Sequence, residues 1–402
     1  MAQSTINSRQ AATYVGLETT FASTPGTVYR AFPKSTPDIG LEQAEVENDN
    51  ESVYLFDYLD PVQGIKDGSV KAEFYLRPHA SQLNSSTAPS NNYLQQVLKG
   101  TFGGHTVNTG SLVGASATTG SIPVDTSSRF SVGQWALFTT TAGLEPARIT
   151  AISASTLTVF PALSSAPSSG SAAINMDNFY PTENNTNSLT VQHAKAEDSA
   201  FQVLMNGCIG GAEIKLERGA LATVSVDLKA ATWSTGSLGY STAVGTDTLA
   251  SPMVVKDAVV LVQPTTTSTR TQYPLKSLSL KLDLGNSFLE ELGGAEGKTG
   301  PVRTGNRSVA DITLRFKADT VAEGYWSNQT KLSVMAMVPV GSSTSKRWIV
   351  LDVPTAVPVG RPKLVDDGGV LYLEMTLKAK LSTVNSSQST DLARAPVVLA
   401  VG

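Results

Sequence analysis

One strand-turn-strand pattern occurs twice in this chain, and the repeat constrains the fold more than any other feature. Residues 211–231 read GAEIKLERGALATVSVDLKAA, and residues 360–380 read GRPKLVDDGGVLYLEMTLKAK. At an offset of 149 residues (360 − 211), glycines align with glycines and both copies end in Leu-Lys-Ala. Alternation of apolar and polar residues at period two predicts antiparallel strands with one buried face. The repeat therefore predicts two related β units in one chain.

A second pair of strands supports the duplication. SVKAEFYLRP (69–78) aligns in phase with ADITLRFKA (310–318) at an offset of 240 residues (310 − 70), which matches Phe74 with Leu314. The first copy is therefore longer than the second, and an insertion at 101–180 accounts for most of the difference. Chance similarity between two amphipathic hairpins is the alternative, because period-two patterns are common.

The predicted fold class is mainly β, with duplicated antiparallel sandwich or barrel units that each carry a short helix. Helices are predicted at 91–100 and 318–329, the first capped by Ser90 or Asn91 and ended by Gly100. The predicted domains are a first unit formed by 1–100 and 181–245, an inserted module at 101–180, and a second unit at 246–402.

The insertion is rich in Gly, Ser, Thr and Ala, and it contains short β patterns at close spacing. This composition predicts a small all-β module, with a disordered linker as the alternative. Its predicted core consists of Phe130, Trp135, Leu137, Ile149, Leu157 and Val159.

Composition argues against several functional classes. The chain has 402 residues, 16% of them charged, a net charge of −4 and a pI near 5.5, which is unlike a nucleic-acid-binding protein. The single cysteine, Cys208, excludes a disulfide framework within the chain. The first ten residues, MAQSTINSRQ, lack the apolar region of a secretory signal, and no apolar run is long enough to span a membrane.

No catalytic or metal-binding motif is recognised, so we predict neither an enzyme nor a cofactor. The three histidines, His79, His105 and His193, have no metal-site spacing, and Cys208 is predicted to be a buried, inert thiol. The stretch GGAEGKTG (293–300) looks like a phosphate-binding loop, but Leu292 stands where that motif needs glycine. A loop between strands is the preferred interpretation.

Two further segments have several interpretations. The run EQAEVENDNES lacks EF-hand spacing, so a solvated loop is favoured over a calcium site, and a surface facing a neighbouring subunit or passing DNA is the third reading. Its acidic residues are Glu42, Glu45, Glu47, Asp49 and Glu51. The C-terminal APVVLAVG (395–402) is β-prone, and we favour pairing within the chain over strand addition to a neighbour.

At this point the chain resembles the tail tube proteins of long-tailed bacteriophages. The resemblance is carried by AATYVGLETTFASTPGT, DPVQGIKDGSVKAEFYLRP, the short helix YLQQVLKG and the strand pair GAEIKLERGALATVSVDLKAA. It covers roughly 1–100 and 180–400 and leaves the insertion outside. These are patterns rather than diagnostic signatures.

The resemblance implies a β-sandwich tube domain flanked by a helix, whose inner sheet joins neighbours in a ring. Members with two fused tube domains form trimeric, pseudo-hexameric rings, whereas single-domain members form hexamers. The stacked rings conduct double-stranded DNA without binding it specifically, and a neutral to acidic lining would let the polyanion slide. The implied partners are further copies of the chain and the tail terminator, baseplate and tape measure proteins. The implied location is the virion, after synthesis in the host cytoplasm, with the insertion projecting outward.

Long segments at 35–66 and 283–307 precede the repeated strand in the two halves and are expected to contact the adjacent ring or the lumen. The candidate contact residues are Glu42, Glu45, Glu47, Asp49, Glu51, Glu296, Lys298 and Arg303. The alternatives are another tail, baseplate or head decoration protein, or a carbohydrate-binding adhesin built from β modules. An enzyme is the least favoured class because no catalytic group is recognised.

Overall fold

The computed structural model describes residues 11–46, 62–79, 91–107, 109–182, 187–194, 202–236, 244–245, 249–252, 254–265, 272–304, 309–340, 346–381 and 391–402. Within these ranges the protein is mainly β, as the alternating sequence patterns predict, with three short α-helices.

The first copy contains nine strands and one helix that precede the link to the second copy. These are β1 (Ala12–Leu17), β2 (Val28–Ala31), β3 (Asp38–Val46), β4 (Val62–Tyr75), α1 (Tyr93–Phe102), β5 (Gly103–Thr106), β12 (Asp177–Pro181), β13 (Leu189–Ala194), β14 (Gln202–Glu217) and β15 (Thr223–Ala230). Two further strands follow, β16 (Thr232–Gly236) and β17 (Val244–Gly245).

The insertion folds as a separate six-stranded sheet between β5 and β12. Its strands are β6 (Ser111–Leu112), β7 (Ser121–Pro123), β8 (Trp135–Thr140), β9 (Gly143–Ser153), β10 (Thr156–Phe160) and β11 (Ala172–Asn175). Because β5 and β12 pair with each other, with Thr106 opposite Asn178, the module begins and ends at one point.

The second copy repeats the arrangement of the first. Its elements are β18 (Val259–Pro264), β19 (Leu275–Leu282), β20 (Asn286–Ala295), β21 (Lys298–Arg303), β22 (Ala310–Lys317), α2 (Thr320–Ser327), β23 (Leu332–Val340), β24 (Arg347–Pro358), β25 (Lys363–Asp367), β26 (Val370–Ala379), α3 (Asp391–Arg394) and β27 (Val398–Val401).

The repeated hairpins have the same strand pairing in both copies. β15 pairs with β4 and places Phe74 opposite Val224, while β26 pairs with β22 and places Phe316 opposite Leu373. The structural offset of the first strand is therefore 242 residues (316 − 74), and the predicted offset of 240 was wrong by two. A slip of two residues keeps every side chain on its face, so the alternating pattern could not detect it.

The second copy has two extra residues beside the repeated hairpin. β14 runs unbroken along β15, with Gly210 opposite Leu228 and Glu213 opposite Ser225. In the second copy this strand is divided, so Pro358 lies opposite Leu377 and Lys363 opposite Glu374. The offset of this strand thus rises from 148 (358 − 210) to 150 (363 − 213), with the additional residues inside 359–362.

Helices α1 and α2 each begin at a residue whose side chain caps the helix. The Asn92 side chain accepts a hydrogen bond from the Gln95 amide at 2.9 Å, and Asp319 caps the Ala322 amide at 2.8 Å. The prediction that Ser90 or Asn91 caps α1 was therefore wrong by one or two residues, because the cap is Asn92. The helix also continues past Gly100 and ends at Gly103, whose φ of 93° suits a residue without Cβ.

The predicted core of the module is buried, but it is divided between two faces. Phe130, Ile149 and Leu157 pack inside the module. Trp135 and Leu137 instead face the second copy, in a cluster with Met335, Met337, Trp348, Val350, Leu392 and Val398. The sequence pattern identified apolar positions but could not show that one module surface packs on another domain.

The C-terminal strand pairs within the chain, as the sequence favoured. β27 lies between β12 and β24, with Leu399 opposite both Phe179 and Leu351. Because β12 belongs to the first copy and β24 to the second, this strand joins the two halves.

Candidate assembly interface

The two copies meet in a continuous sheet through the pairing of β14 with β19. Six residue pairs form this internal junction, from Ala212 opposite Leu282 to Glu217 opposite Ser277. Its core face includes Ile214 opposite Leu280, and both side chains are fully buried. The resulting order of strands is β3, β4, β15, β14, β19, β22, β26 and β25.

The ends of this sheet are the repeat equivalents of the two strands at its internal junction. β3 pairs with β4 as β19 pairs with β22, and Leu41 corresponds to Leu282 at an offset of 241 (282 − 41). β25 corresponds to the part of β14 that contacts β19. Among the described residues, β3 pairs with β4 alone and β25 with β26 alone. Each therefore presents an open edge.

Leu364 on β25 is an apolar side chain that no neighbouring strand covers at the open edge. It corresponds to Ile214, which is fully buried at the internal junction, yet Leu364 is 65% exposed. Transferring the internal register to the open edges places Leu364 opposite Ile39, just as Ile214 lies opposite Leu280. A second copy of the chain would therefore cover Leu364 with an aliphatic side chain.

The polar face of the same sheet carries charges of both signs. Lys71 lies 3.7 Å from Asp227, Lys34 lies 3.0 Å from Glu73, and Arg315 lies 2.7 Å from Glu374. All three pairs remain accessible to solvent, largely for Lys71–Asp227 and partly for the other two, so water and salt screen them and they contribute little stability. They do neutralise one another locally, so this face is not a basic surface.

The acidic run lies on the open edge of the first copy. Glu42 and Glu45 are exposed residues of β3, and the Glu42 carbonyl accepts a hydrogen bond from Trp233 Nε1 at 3.1 Å. Glu47, Asp49 and Glu51 lie outside the described residues. A role of these carboxylates in contacts with other chains stays a prediction.

The other candidate residues belong to the β20–β21 hairpin, which crosses from the second copy to the first. Lys298 is 5% exposed, and its Nζ lies 2.6 Å from Asp67 Oδ1 and 3.0 Å from the Lys66 carbonyl. Glu296 accepts a hydrogen bond from the Lys66 amide at 3.3 Å. Arg303 donates to the Thr182 and Leu284 carbonyls. These residues hold the hairpin in place within one chain.

The stretch GGAEGKTG forms the turn of that hairpin, as its interpretation as a loop between strands predicts. Glu296 has a φ of 51° and Gly297 a φ of 72° between β20 and β21. The segment begins no helix, so it lacks the aligned amides with which a phosphate-binding loop holds its ligand. Cys208 is fully buried, and burial raises the pKa of its thiol, so the thiolate does not form near neutral pH.

Two of the three histidines converge on one buried carboxylate, which their sequence spacing did not indicate. Asp177 Oδ2 lies 2.9 Å from His79 Nε2 and from Gln95 Nε2, and Asp177 Oδ1 lies 3.2 Å from His105 Nε2. Burial favours a higher pKa for Asp177, but the hydrogen bonds with His105 and His79 are the main effects that outweigh it and hold the pKa low. The cluster is enclosed between α1, β5 and β12, so we interpret it as a structural group that links these elements.

The chain matches no protein-family model and no curated protein sequence. Within the described ranges, no group of three or more His, Cys, Asp or Glu side chains could hold a metal ion. No helix in the part of the chain that the structure describes is long and apolar enough to cross a membrane.

The favoured interpretation of the acidic run as a solvated loop was wrong for Glu42 and Glu45, which lie in strand β3, and the opposite edge of the sheet was missed. Arg361, Lys363 and Leu364 were read only as part of a repeated strand. The available signal was the contrast with the first copy, where Gly211, Glu213 and Ile214 stand at the corresponding positions.

Proposed function

We propose that the chain is a structural virion protein that forms the stacked, trimeric and pseudo-hexameric rings of a phage tail tube. The observation that carries the proposal is the internal junction of β14 with β19. It joins two copies of one unit through strand edges, and the same two kinds of edge are open at the ends of the sheet. A head-to-tail contact between chains can therefore repeat the contact within a chain.

Closure follows from the same geometry. A heterologous contact produces a ring when its rotation closes and a filament when it does not. If each chain supplies two of six equivalent sectors, three chains close the sheet and leave no open edge. This arrangement gives a physical reason for the occurrence of two copies of the strand pair in one chain. Burial of Leu364 would further stabilise the contact between chains.

The mixed charge of the polar face suits a conduit for double-stranded DNA. Contacts between phosphates and unpaired Lys or Arg give strong, salt-dependent binding, which would retard a moving duplex. Here Lys71 and Arg315 lie beside carboxylates. With this face toward the lumen, the tube would conduct DNA without holding it. The further partners would be the tail terminator, baseplate and tape measure proteins, and the location would be the virion.

A carbohydrate-binding adhesin is less well supported than a tube. Sugar-binding surfaces use exposed aromatic rings, but the exposed large hydrophobic side chains of the described residues are aliphatic apart from Phe32. A different tail or baseplate protein shares the composition and differs in symmetry, so assembly decides between the two.

The test combines electron microscopy with cross-linking. The concentrated, purified protein should form hollow tubes built of threefold rings. The double variants Ile39→Cys/Leu364→Cys and Asp38→Cys/Val365→Cys sample successive opposed pairs, which alternate in Cα separation in antiparallel sheets. At least one should oxidise to a disulfide ladder that ends at the trimer on a non-reducing gel.

The matched control is Ile39→Cys/Leu112→Cys, because Leu112 is exposed on the inserted module, far from β25 in sequence. This variant should remain monomeric after oxidation, since Cys208 is buried. Discrete particles that never stack, or equal ladders from the control, would contradict the tube proposal.

A further inference from the structure

We infer that Arg361 and Lys363 of one chain bind the acidic edge strand β3 of the next chain and so select the head-to-tail partner. The inference rests on the proposed function and names the charge contacts of its interface. Asp38, Glu42, Arg361 and Lys363 are all exposed in the single chain.

One of the two cations comes from a segment in which the second copy is two residues longer than the first. Arg361 lies in the segment 359–362, which contains the two extra residues, and Lys363 begins β25. The corresponding residues of the first copy are Gly211 and Glu213, neither of which is basic. At these two positions the open edge has two more positive charges and one fewer negative charge, whereas further along the strand Val365 replaces Lys215 and Asp366 replaces Leu216.

The internal register determines what these cations would face. Glu213 lies opposite Lys281, which corresponds to Gly40, so Lys363 is placed opposite Gly40. Arg361 lies two residues before β25 begins, so a straight continuation of the register would place it opposite Glu42. Asp38 and Glu42 then flank Lys363 diagonally, at about 7–8 Å between Cα atoms, which long side chains span.

The charges also reject the wrong partners. At the internal junction the acid Glu213 is on the β14 side and the base Lys281 on the β19 side, whereas the open edges have the opposite polarity. A foreign β3 pairing with β14 would place Glu213 between Asp38 and Glu42. A foreign β19 pairing with β25 would place Lys363 opposite Lys281. Like charges at these positions oppose both pairings, so only β25 with β3 is complementary.

The Arg361 groove contains acidic groups of its own chain, which the test must account for. Asp319 and Glu323 of α2 line it together with Leu364. The Asp319 carboxylate is already bound to the Ala322 amide and to the Tyr273 hydroxyl. A charge reversal at Arg361 must therefore be compared with a complementary reversal on β3, which changes nothing in the groove.

The experiment mixes two single-cysteine proteins, Ile39→Cys and Leu364→Cys, and measures the initial rate of the mixed disulfide at low salt. Adding Arg361→Glu to the Leu364→Cys protein should slow the reaction about tenfold, since charge complementarity accelerates association. Adding Glu42→Arg to the other protein should restore the rate. The difference should vanish near 1 M NaCl, where the Debye length is about 3 Å.

Lys229→Glu in the Leu364→Cys protein is the control, because Lys229 is an exposed cation on β15, two strands in from the β3 edge and outside both edge strands. It should leave the rate unchanged, and circular dichroism should show that each variant is folded. The inference is overturned, whether or not tubes form, if Arg361→Glu leaves the rate unchanged. It is also overturned if Glu42→Arg does not restore the rate. Charge-sensitive cross-linking without rings or tubes would support the inference and reject the tube. If neither this mixture nor a mixture of Asp38→Cys with Val365→Cys forms a disulfide, both proposals are overturned.

Discussion

At the scale of single residues, the most unusual group is Asp177 between His79 and His105. Burial lowers the pKa of His105, and the hydrogen bond and charge of Asp177 offset this only in part. His105 therefore stays neutral in the folded protein at a pH where an unfolded histidine, with a pKa near 6.5, takes up a proton. The unfolded state binds more protons below that pH, so the free energy of unfolding should fall as the pH decreases.

We predict that His105→Gln flattens this pH dependence. Glutamine can still donate a hydrogen bond to Asp177 but does not titrate, so the loss of stability between pH 7.5 and 5.5 should shrink. One proton accounts for at most about 1.4 kcal/mol per pH unit. Urea unfolding at the two pH values measures the slope. An unchanged slope, or an equal flattening in His193→Gln, would contradict a role of the cluster.

At the scale of elements, alternation and capping residues were sufficient to predict the repeated hairpins, the C-terminal strand and both longer helices. The boundaries were less accurate, because Asn92 caps α1 through a contact that Asn91 could equally have made. The register between copies was wrong by two residues because period two cannot detect such a slip. Only the pairing of Phe316 with Leu373 shows the true alignment.

The candidate interface could be predicted less completely than the fold. Glu42 was identified because carboxylates cluster in its segment. Arg361 and Lys363 carried no such signal, since isolated cations in a strand usually face solvent. Arg361 and Lys363 become candidate contact residues only when the repeated strands are superposed and the edge of β25 is found open. That is a tertiary property, which local sequence does not encode.

The contrast between β27 and β25 gives the prediction at this scale. Leu399 is fully buried between two strands, whereas Leu364 is largely exposed on an edge. Leu399→Ala should lower the free energy of unfolding by about 2–5 kcal/mol. Leu364→Ala should change the unfolding of the dilute chain by less than about 0.5 kcal/mol. Chemical denaturation of both variants measures this, and similar losses would contradict the assignment of β25 as an open edge.

At the scale of the whole molecule, the inserted module is attached to the second copy as well as to the first. Trp135 Nε1 and Arg148 Nη1 each lie 2.9 Å from Asp352 Oδ2, and Asp352 is fully buried on β24. Trp348 Nε1 donates to the Leu144 carbonyl at 2.8 Å. The module is therefore a structural brace between the copies, and an outward projection would involve only its remaining surface.

This packing predicts the result of removing the module. Thr106 and Asn178 are paired neighbours, so a short Asn-Gly turn can replace residues 107–176 without stretching the chain. The deletion would leave Asp352 without Trp135 and Arg148, and would expose the apolar side chains around Trp348. Because the deletion removes the buried contacts of Trp135 with Trp348 and its neighbours as well as the Arg148–Asp352 ion pair, the free energy of unfolding should fall by at least about 3–5 kcal/mol.

The matched variant keeps the module and carries Asp352→Asn, which breaks the ion pair with Arg148 and leaves the apolar contacts in place. It should lose about 3–5 kcal/mol, measured by denaturant unfolding, and only the deletion should also bind a hydrophobic dye. Wild-type stability in the deletion variant would instead make the module a removable decoration.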